Sequence, residues 1–138
     1  MTTSAARRRG EILLVERNAF QRETASAWLR AHDYAVREVA NQSDAIAQLS
    51  YTPYDVVVAD ISLVSAEALT LVVWLAGRHP RIPVIGMLRE QLTPEARGCA
   101  RQLGIRQLLV KPYSLAALLE AVKCTLTAHF RDRRAQST

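Results

Sequence analysis

The stretch Y-D-V-V-V-A-D, residues 54–60, decides the fold of this 138-residue chain. Three consecutive valines and an alanine form an apolar run without polar alternation, and β-branched side chains favour strands. A strand that is apolar on both faces is buried on both sides, as in a parallel sheet covered by helices. We therefore predict a central strand that ends at Asp60, whose carboxylate leaves the core at the C-terminal end of the strand.

Four more apolar segments and five amphipathic segments alternate along the rest of the chain. The other predicted strands lie at residues 11–16, 34–39, 82–87 and 106–110. Four predicted helices begin after the capping residues Asn18, Asn41, Thr93 and Ser114, and a fifth covers residues 65–76. Alternation of buried strands with helices predicts an α/β fold, a doubly wound (βα)5 five-stranded parallel sheet with helices on both faces.

Helical spacing assigns several side chains to the core. Asn18 and Gln21 have the spacing of a capping box. The residues of the first helix that we expect to face the sheet are Phe20, Thr24, Ala27, Trp28 and Ala31. Cys99 and Cys124 have neither metal-ligand spacing nor a disulfide pattern, so we expect both to be buried, reduced thiols.

Length and charge set the limits of the domain. A chain of 138 residues is long enough for one core and too short for two. Three arginines at positions 7–9 and a net two positive charges in residues 129–138 account for the whole formal charge of +5. We predict a basic disordered tail at 1–9, a neutral domain at 10–128 and a basic C-terminal tail at 129–138. Solvated tails are favoured over nucleic-acid contact.

Neither a membrane segment nor a leader is predicted. No apolar run approaches the ~20 residues that span a bilayer. The arginines at 7–9 are not followed by the apolar stretch and cleavage site of a secretory signal. We therefore expect a cytoplasmic protein without membrane contact.

Three charged residues are predicted to converge where the strands end. Ligands of open α/β sheets bind outside the C-terminal ends of the strands, and Glu16, Asp60 and Lys111 follow or end the first, third and fifth strands. There Asp60 can act as a nucleophile or a cation ligand. Lys111 can pair with Asp60 or with a phosphoryl group attached to it. Spacing alone leaves a structural ion pair between Asp60 and Lys111 as the alternative.

A small enzyme or nucleotide-binding protein on the same fold is a further alternative. The first strand is followed by E-R-N-A, residues 16–19, and not by a glycine-rich phosphate-binding loop. The three histidines fall in predicted turns or in the tail, so no serine- or cysteine-based nucleophile arrangement is evident. Both points argue against catalysis, and we expect that the chain is not an enzyme.

Four segments resemble those of the response regulator receiver domain, the chemotaxis-type signalling module. They are E-I-L-L-V-E-R, Y-D-V-V-V-A-D-I-S, R-I-P-V-I-G-M-L and Q-L-L-V-K-P-Y-S, in the order and at the intervals of that family. The resemblance covers residues 10–128 and implies a flavodoxin-like receiver fold. It also implies that Asp60 accepts a phosphoryl group from a sensor histidine kinase or phosphotransfer protein, and that Lys111 contacts that group.

The same resemblance implies a magnesium site formed by Glu16, Asp60 and the main-chain carbonyl of Ser62. The family has an acidic pair after the first strand, and Arg17 stands in place of its second member. Because this exchange changes the local charge by two units, we expect magnesium binding to be weakened or lost. Either Arg17 pairs with Asp60, replaces the cation and lowers the pKa of Asp60, or it points outward and leaves a weakened metal site.

Two further departures affect the switch that receiver domains use for readout. Leu88 stands where the family has a hydroxyl residue at the end of the fourth strand, and it cannot donate that hydrogen bond. Leu108 replaces the aromatic residue of the fifth strand. The sequence predicts an atypical receiver, or a phosphorylation-independent pseudo-receiver, that acts through contacts with a downstream protein partner or a second copy of itself.

Overall fold

Five parallel strands form the central sheet of the structure, a computed structural model that describes residues 10–63, 65 and 67–137. The strands are β1 (Gly10–Val15), β2 (Tyr34–Val39), β3 (Val56–Asp60), β4 (Val84–Leu88) and β5 (Ile105–Val110). Their order across the sheet is β2-β1-β3-β4-β5, and every neighbouring pair is parallel. As predicted, β3 is the central strand and ends at Asp60, which lies opposite Met87 of β4.

Helices cover both faces of this sheet. Across the residues that the structure describes, they are α1 (Ala19–Ala31), α2 (Gln42–Leu49), α3 (Thr70–Arg78), α4 (Pro94–Gln102) and α5 (Leu115–Ser137). Helices α1 and α5 pack on one face, where Leu29 and Leu118 are buried. Helices α2, α3 and α4 pack on the other, where Leu49 and Leu75 are buried. The predicted (βα)5 α/β fold is confirmed.

The predicted capping residues mark the starts of four helices. Asn18, Asn41, Thr93 and Ser114 each accept a hydrogen bond from a main-chain N–H three residues on, over 2.7 to 3.1 Å. Gly104 follows the end of α4, with a φ of 84° that glycine adopts without steric cost. These local signals place the first turn of each of the four helices at the edge of the sheet where Asp60 lies.

Helix α3 begins later than the predicted residue 65. A short 3-10 turn at Glu67–Leu69 comes first, and the α-helix starts at Thr70 without a side-chain cap from its own segment. The cap comes from α2, because Gln42 Oε1 accepts the N–H of Leu71 at 2.8 Å and Gln42 Nε2 donates to the carbonyl of Ala68 at 2.7 Å. A partner so distant in sequence leaves no local signal for the helix start.

The face of α1 that packs on the sheet also differs from the prediction. The buried residues are Ala25, Ser26 and Leu29, whereas Phe20 is 78% exposed and Ala27 and Ala31 are exposed. Small residues allow the helix to lie close to the strands. Phe20, in the first turn of α1, borders a surface cleft and not the core.

Both cysteines are exposed, so the prediction of buried thiols was wrong. Cys99 lies beside the buried Ala100 on α4, and Cys124 lies on α5. The Cys124 thiol donates to Glu120 Oε2 at 3.3 Å, and this hydrogen bond raises the pKa of the thiol. One residue of offset along a helix turns a side chain by about 100°, which is enough to move a thiol from core to solvent.

The last helix continues through residues that were predicted to form a C-terminal tail. Helix α5 extends to Ser137, so residues 129–137, which were predicted to form a basic C-terminal tail, are helical. No glycine or proline occurs in residues 127–137 to end the helix. The half-buried Phe130 of α5 packs against the core on the face of the sheet that α1 and α5 cover. The N-terminal tail predicted at 1–9 lies outside the described residues. No helix in the described part of the chain could span a membrane.

Candidate functional site

The ends of the strands bring the three predicted charged residues together. Glu16 follows β1, Asp60 ends β3 and Lys111 follows β5. Lys111 stays at the sheet because its N–H donates to the carbonyl of Leu88, the last residue of β4, at 2.6 Å. From that position its side chain reaches across the edge of the sheet to both carboxylates.

Glu16, Lys111 and Asp60 form an ion-pair triad at the centre of the site. Lys111 Nζ lies 2.6 Å from Glu16 Oε1 and 3.3 Å from Asp60 Oδ1. The side chains of Glu16, Lys111 and Asp60 are 1%, 8% and 24% exposed, respectively. Within the triad, Asp60 is therefore the group that a molecule in solution can reach, whereas Glu16 holds Lys111 in place.

Both carboxylate oxygens of Glu16 are engaged. Oε1 accepts a hydrogen bond from Lys111, and Oε2 accepts the N–H of Asn18 at 2.9 Å. The predicted capping box is therefore half formed. Asn18 accepts the N–H of Gln21, but the Gln21 side chain accepts a hydrogen bond from Lys111 Nζ at 3.0 Å. Sequence reasoning missed this role of Gln21 because its partner comes from the other end of the chain.

The pKa of Asp60 is raised, which contradicts the first of the two alternatives for Arg17, that it pairs with Asp60 and lowers this pKa. Burial is the main cause and the charge of Glu16 adds to it, while Lys111 and Arg89 act in the opposite direction. The predicted pair between Arg17 and Asp60 is not formed, since Glu16 anchors the Lys111 ammonium beside Asp60. Arg17 is exposed, and its guanidinium has no ion-pair partner among the described residues.

The oxygen atoms predicted to bind magnesium do not fit a metal in this arrangement. Magnesium needs free oxygen ligands in an octahedral arrangement, but both oxygens of Glu16 are occupied and the Lys111 ammonium contacts both carboxylates. Ser62, the predicted carbonyl ligand, is half-buried in the segment after β3. Among the described residues, no group of three histidine, cysteine, aspartate or glutamate side chains could hold a metal ion.

Apolar side chains close the site on the side of β4 and β5. Leu88 is fully buried at the end of β4 and offers no hydroxyl group. Leu108 on β5 and Ile61 after β3 pack over Gly86, where a Cβ atom would lie 3.2 Å from Leu108 Cδ2 and 2.6 Å from Ile61 Cδ1. Both leucines that replace residues of the family's switch thus belong to the core.

Two surface clefts border the triad, and Arg89 lines both. The larger, of about 700 Å³, is lined by Arg17, Asp60 and Arg89 among others. The smaller, of about 590 Å³, lies between α1 and the segment after β5 and is lined by Phe20, Arg89 and Tyr113 among others. The sequence assigned no role to Arg89, although its position directly after β4 places it at the ligand-binding edge of the sheet.

Comparison with known proteins agrees with this geometry. The family model of the response regulator receiver domain matches residues 12–123. The chain belongs to this family. Receiver domains are signalling modules of two-component systems, they are generally not enzymes, and their partners are histidine kinases or phosphotransfer proteins. They typically bind magnesium for phosphorylation.

Some similar proteins are much longer than this chain, whereas others consist of a receiver domain of about the same length. Regulatory protein VirG of Rhizobium radiobacter is 29% identical over 128 residues, which cover 89% of this chain and 48% of VirG. The chain thus spans about half the length of the curated relatives it matches. The receiver domain of a Syntrophus aciditrophicus signal transduction histidine kinase is 28% identical, with a TM-score of 0.73 and 86% and 91% of the two chains covered. A CheY-like receiver domain protein of Methanospirillum hungatei has the same fold, with a TM-score of 0.78, 20% identity and 88% and 97% covered.

Proposed function

We propose that this receiver domain accepts a phosphoryl group on Asp60 and signals through contacts with other proteins. The placement of Asp60 supports this most directly. Its side chain is 24% exposed at the end of the central strand, and the Lys111 ammonium lies 3.3 Å from Oδ1. A carboxylate in this position can reach a phosphorus atom in the adjoining cleft, while Lys111 provides charge for the incoming phosphoryl oxygens. A sensor histidine kinase or phosphotransfer protein would supply the group.

The proposed reaction requires the carboxylate form of Asp60. One carboxylate oxygen forms a bond to phosphorus, the bond between phosphorus and the donor breaks, and the donor atom leaves with that electron pair. Because the pKa of Asp60 is raised by burial and by Glu16, acidification should slow the reaction at a higher pH than for an ordinary aspartate. Leu88 has no hydroxyl group that could donate a hydrogen bond to the phosphoryl group. In this proposal, charged side chains around Asp60 respond to phosphorylation instead.

Incubation with acetyl phosphate and magnesium chloride, followed by intact-mass measurement, tests the proposal. We expect a mass gain of one phosphoryl group that is lost in Asp60→Asn. Asp55→Asn is the matched control, because Asp55 precedes the same strand at its opposite end, where Oδ2 accepts the N–H of Glu11 at 2.8 Å. No mass gain in a wild-type chain that melts cooperatively would refute the assignment.

A phosphorylation-independent interaction module is the second candidate function. It is favoured by the closed set of contacts around Glu16, whose two oxygens already bind Lys111 and Asn18, and by the buried Leu88. A receiver domain of this kind keeps a single conformation whether or not Asp60 is phosphorylated. Wild type and Asp60→Asn would then bind the downstream partner with equal affinity, and neither would gain mass.

A further inference from the structure

Lysine and arginine side chains supply positive charge around Asp60. The ion-pair triad carries one net negative charge, because it has two carboxylates and one ammonium group. Arg17 and Arg89 line the larger cleft together with Asp60, and Glu67 also lines it, so the formal charge of the triad with these three residues is zero. A phosphoryl group on Asp60 replaces one negative charge by about two. The two arginines would therefore offset most of the charge of the phosphorylated site and leave about one net negative charge.

Two exposed arginines lie at this edge of the sheet without an ion pair to any other described residue. Arg17 and Arg89 are exposed, and in the part of the chain that the structure describes neither guanidinium forms an ion pair. Arg89 lies close enough to Asp60 for its charge to act on that carboxyl group. A guanidinium remains charged and binds phosphate oxygens through parallel N–H donors. Both arginines border the cleft that contains Asp60, and of the two, Arg89 is the one whose charge acts on that carboxyl group.

We propose that Arg17 and Arg89 take the place of the divalent cation, so that Asp60 is phosphorylated without metal. The inference rests on the proposed role of Asp60 and specifies how the same site neutralises the added charge. It also accounts for the failure of Glu16 to offer a free oxygen to magnesium. With both arginines on the phosphoryl oxygens, Lys111 can keep its short contact with Glu16.

The donor class for this reaction in vitro is a small acyl phosphate such as acetyl phosphate. An oxygen of the Asp60 carboxylate forms a bond to phosphorus, and the bond from phosphorus to the bridging oxygen breaks. Acetate leaves with the electron pair of that bond. One carboxylate is consumed and one is released, so the step needs neither a proton nor a metal to balance.

The variant Arg17→Asp tests the exchange of charge directly. The substitution lowers the charge of the site by two units, which is the charge of one divalent cation. It also adds a carboxylate, a ligand type that magnesium prefers. We therefore expect phosphorylation of Arg17→Asp to require magnesium, whereas that of the wild type does not.

The experiment compares initial rates of mass gain from acetyl phosphate in buffer with EDTA and in buffer with magnesium chloride. Wild type should react equally in both. Arg17→Gln and Arg89→Gln should each react about tenfold more slowly in EDTA, as expected when one charge-assisted hydrogen bond to phosphate is lost. Arg97→Gln, an exposed arginine of α4 that lines neither cleft, should react like wild type.

The possible failures of this inference and of the proposed function are distinct. Mass gain of the wild type only with magnesium would overturn the inference and leave Asp60 as the phosphoacceptor. Unchanged rates in both arginine-to-glutamine variants would also overturn it, and melting curves verify that these surface variants fold. Saturable magnesium binding to the wild type at millimolar concentrations, followed by NMR shifts of the Asp60 amide, would contradict it independently. No mass gain in either buffer would overturn the proposed function itself.

Discussion

Replacement of Lys111 by methionine removes the cation of the ion-pair triad while keeping an unbranched side chain of similar length. Glu16, 1% exposed, then retains a buried charge without its partner at 2.6 Å. At that distance and an effective dielectric constant of about 20, Coulomb's law gives an attraction of roughly 6 kcal/mol, part of which is offset by desolvation. Removal of one partner of a buried pair costs about 3–5 kcal/mol. We expect a loss of this size from a total stability of about 5–15 kcal/mol.

Urea unfolding at pH 7, followed by circular dichroism, measures the loss in Lys111→Met, Glu16→Gln and the double variant. Glutamine retains an oxygen that can accept the N–H of Asn18, so Glu16→Gln removes the charge but not this hydrogen bond. The double variant no longer carries the buried charge of Glu16, while Asp60 lacks its lysine partner in both variants. The double variant should therefore be more stable than Lys111→Met by about 2 kcal/mol, a coupling typical of contacting residues.

Two results would refute this reasoning. A loss below about 1 kcal/mol in Lys111→Met would place the pair in the range of exposed surface ion pairs. Strict additivity of the two substitutions would show that Glu16 and Lys111 do not stabilise each other. Either result would mean that Glu16 does not hold Lys111 beside Asp60.

Four further predictions concern single positions. Asp60→Asn should raise the melting temperature at pH 7, because the raised pKa of Asp60 means that its ionised form costs stability. This gain should shrink as the pH is lowered below the pKa of Asp60, and an unchanged gain would contradict it. Gly86→Ala should cost about 1–2 kcal/mol in urea unfolding, since the added Cβ would lie 2.6 Å from Ile61 Cδ1. Gly98→Ala, with nothing within 4 Å of the added Cβ, should instead stabilise α4 by roughly 0.5–1 kcal/mol. Gln42→Ala should cost about 1 kcal/mol and speed amide exchange in the first turn of α3.

The strands could be predicted from the sequence because their burial on both faces leaves an apolar signature. The limits of β2, Tyr34–Val39, were predicted without error, and those of the other strands differ by at most two residues. The start of β3 at Val56, two residues later than predicted, depends on where hydrogen bonds to neighbouring strands begin. The apolar run of a single segment does not show at which residue its hydrogen bonds to a neighbouring strand begin.

Helix limits were predicted well only where the signal was local. Asn18 and Thr93 lie next to the helices they cap, whereas α3 is capped by Gln42 of a different helix. The length of α5 was a different error. No glycine or proline follows residue 126 to end this helix. The prediction of a tail at 129–138 rested on the cluster of arginines there.

The convergence of the site residues followed from topology, but their pairing did not. Parallel strands place the residues after their C-terminal ends at one edge, which was sufficient to bring Glu16, Asp60 and Lys111 together. The pairing of Arg17 with Asp60 was predicted from proximity in the fold and from charge alone. It failed because Glu16 fixes the Lys111 ammonium at 2.6 Å, a contact between residues 95 positions apart.

Different residues determine the fold of this receiver domain and the chemistry of its site. Arg17 and Arg89 are exposed at the ends of strands, so an acidic or neutral residue at either position would alter the charge around Asp60 without opening the core. Leu88 is fully buried, and its side chain adds apolar contact where a hydroxyl would need a hydrogen-bond partner. The core therefore tolerates, or gains from, the same exchanges that change the charge and the hydrogen-bonding groups around Asp60. For this reason membership in the family locates Asp60, while the charges of this particular chain determine what Asp60 can bind.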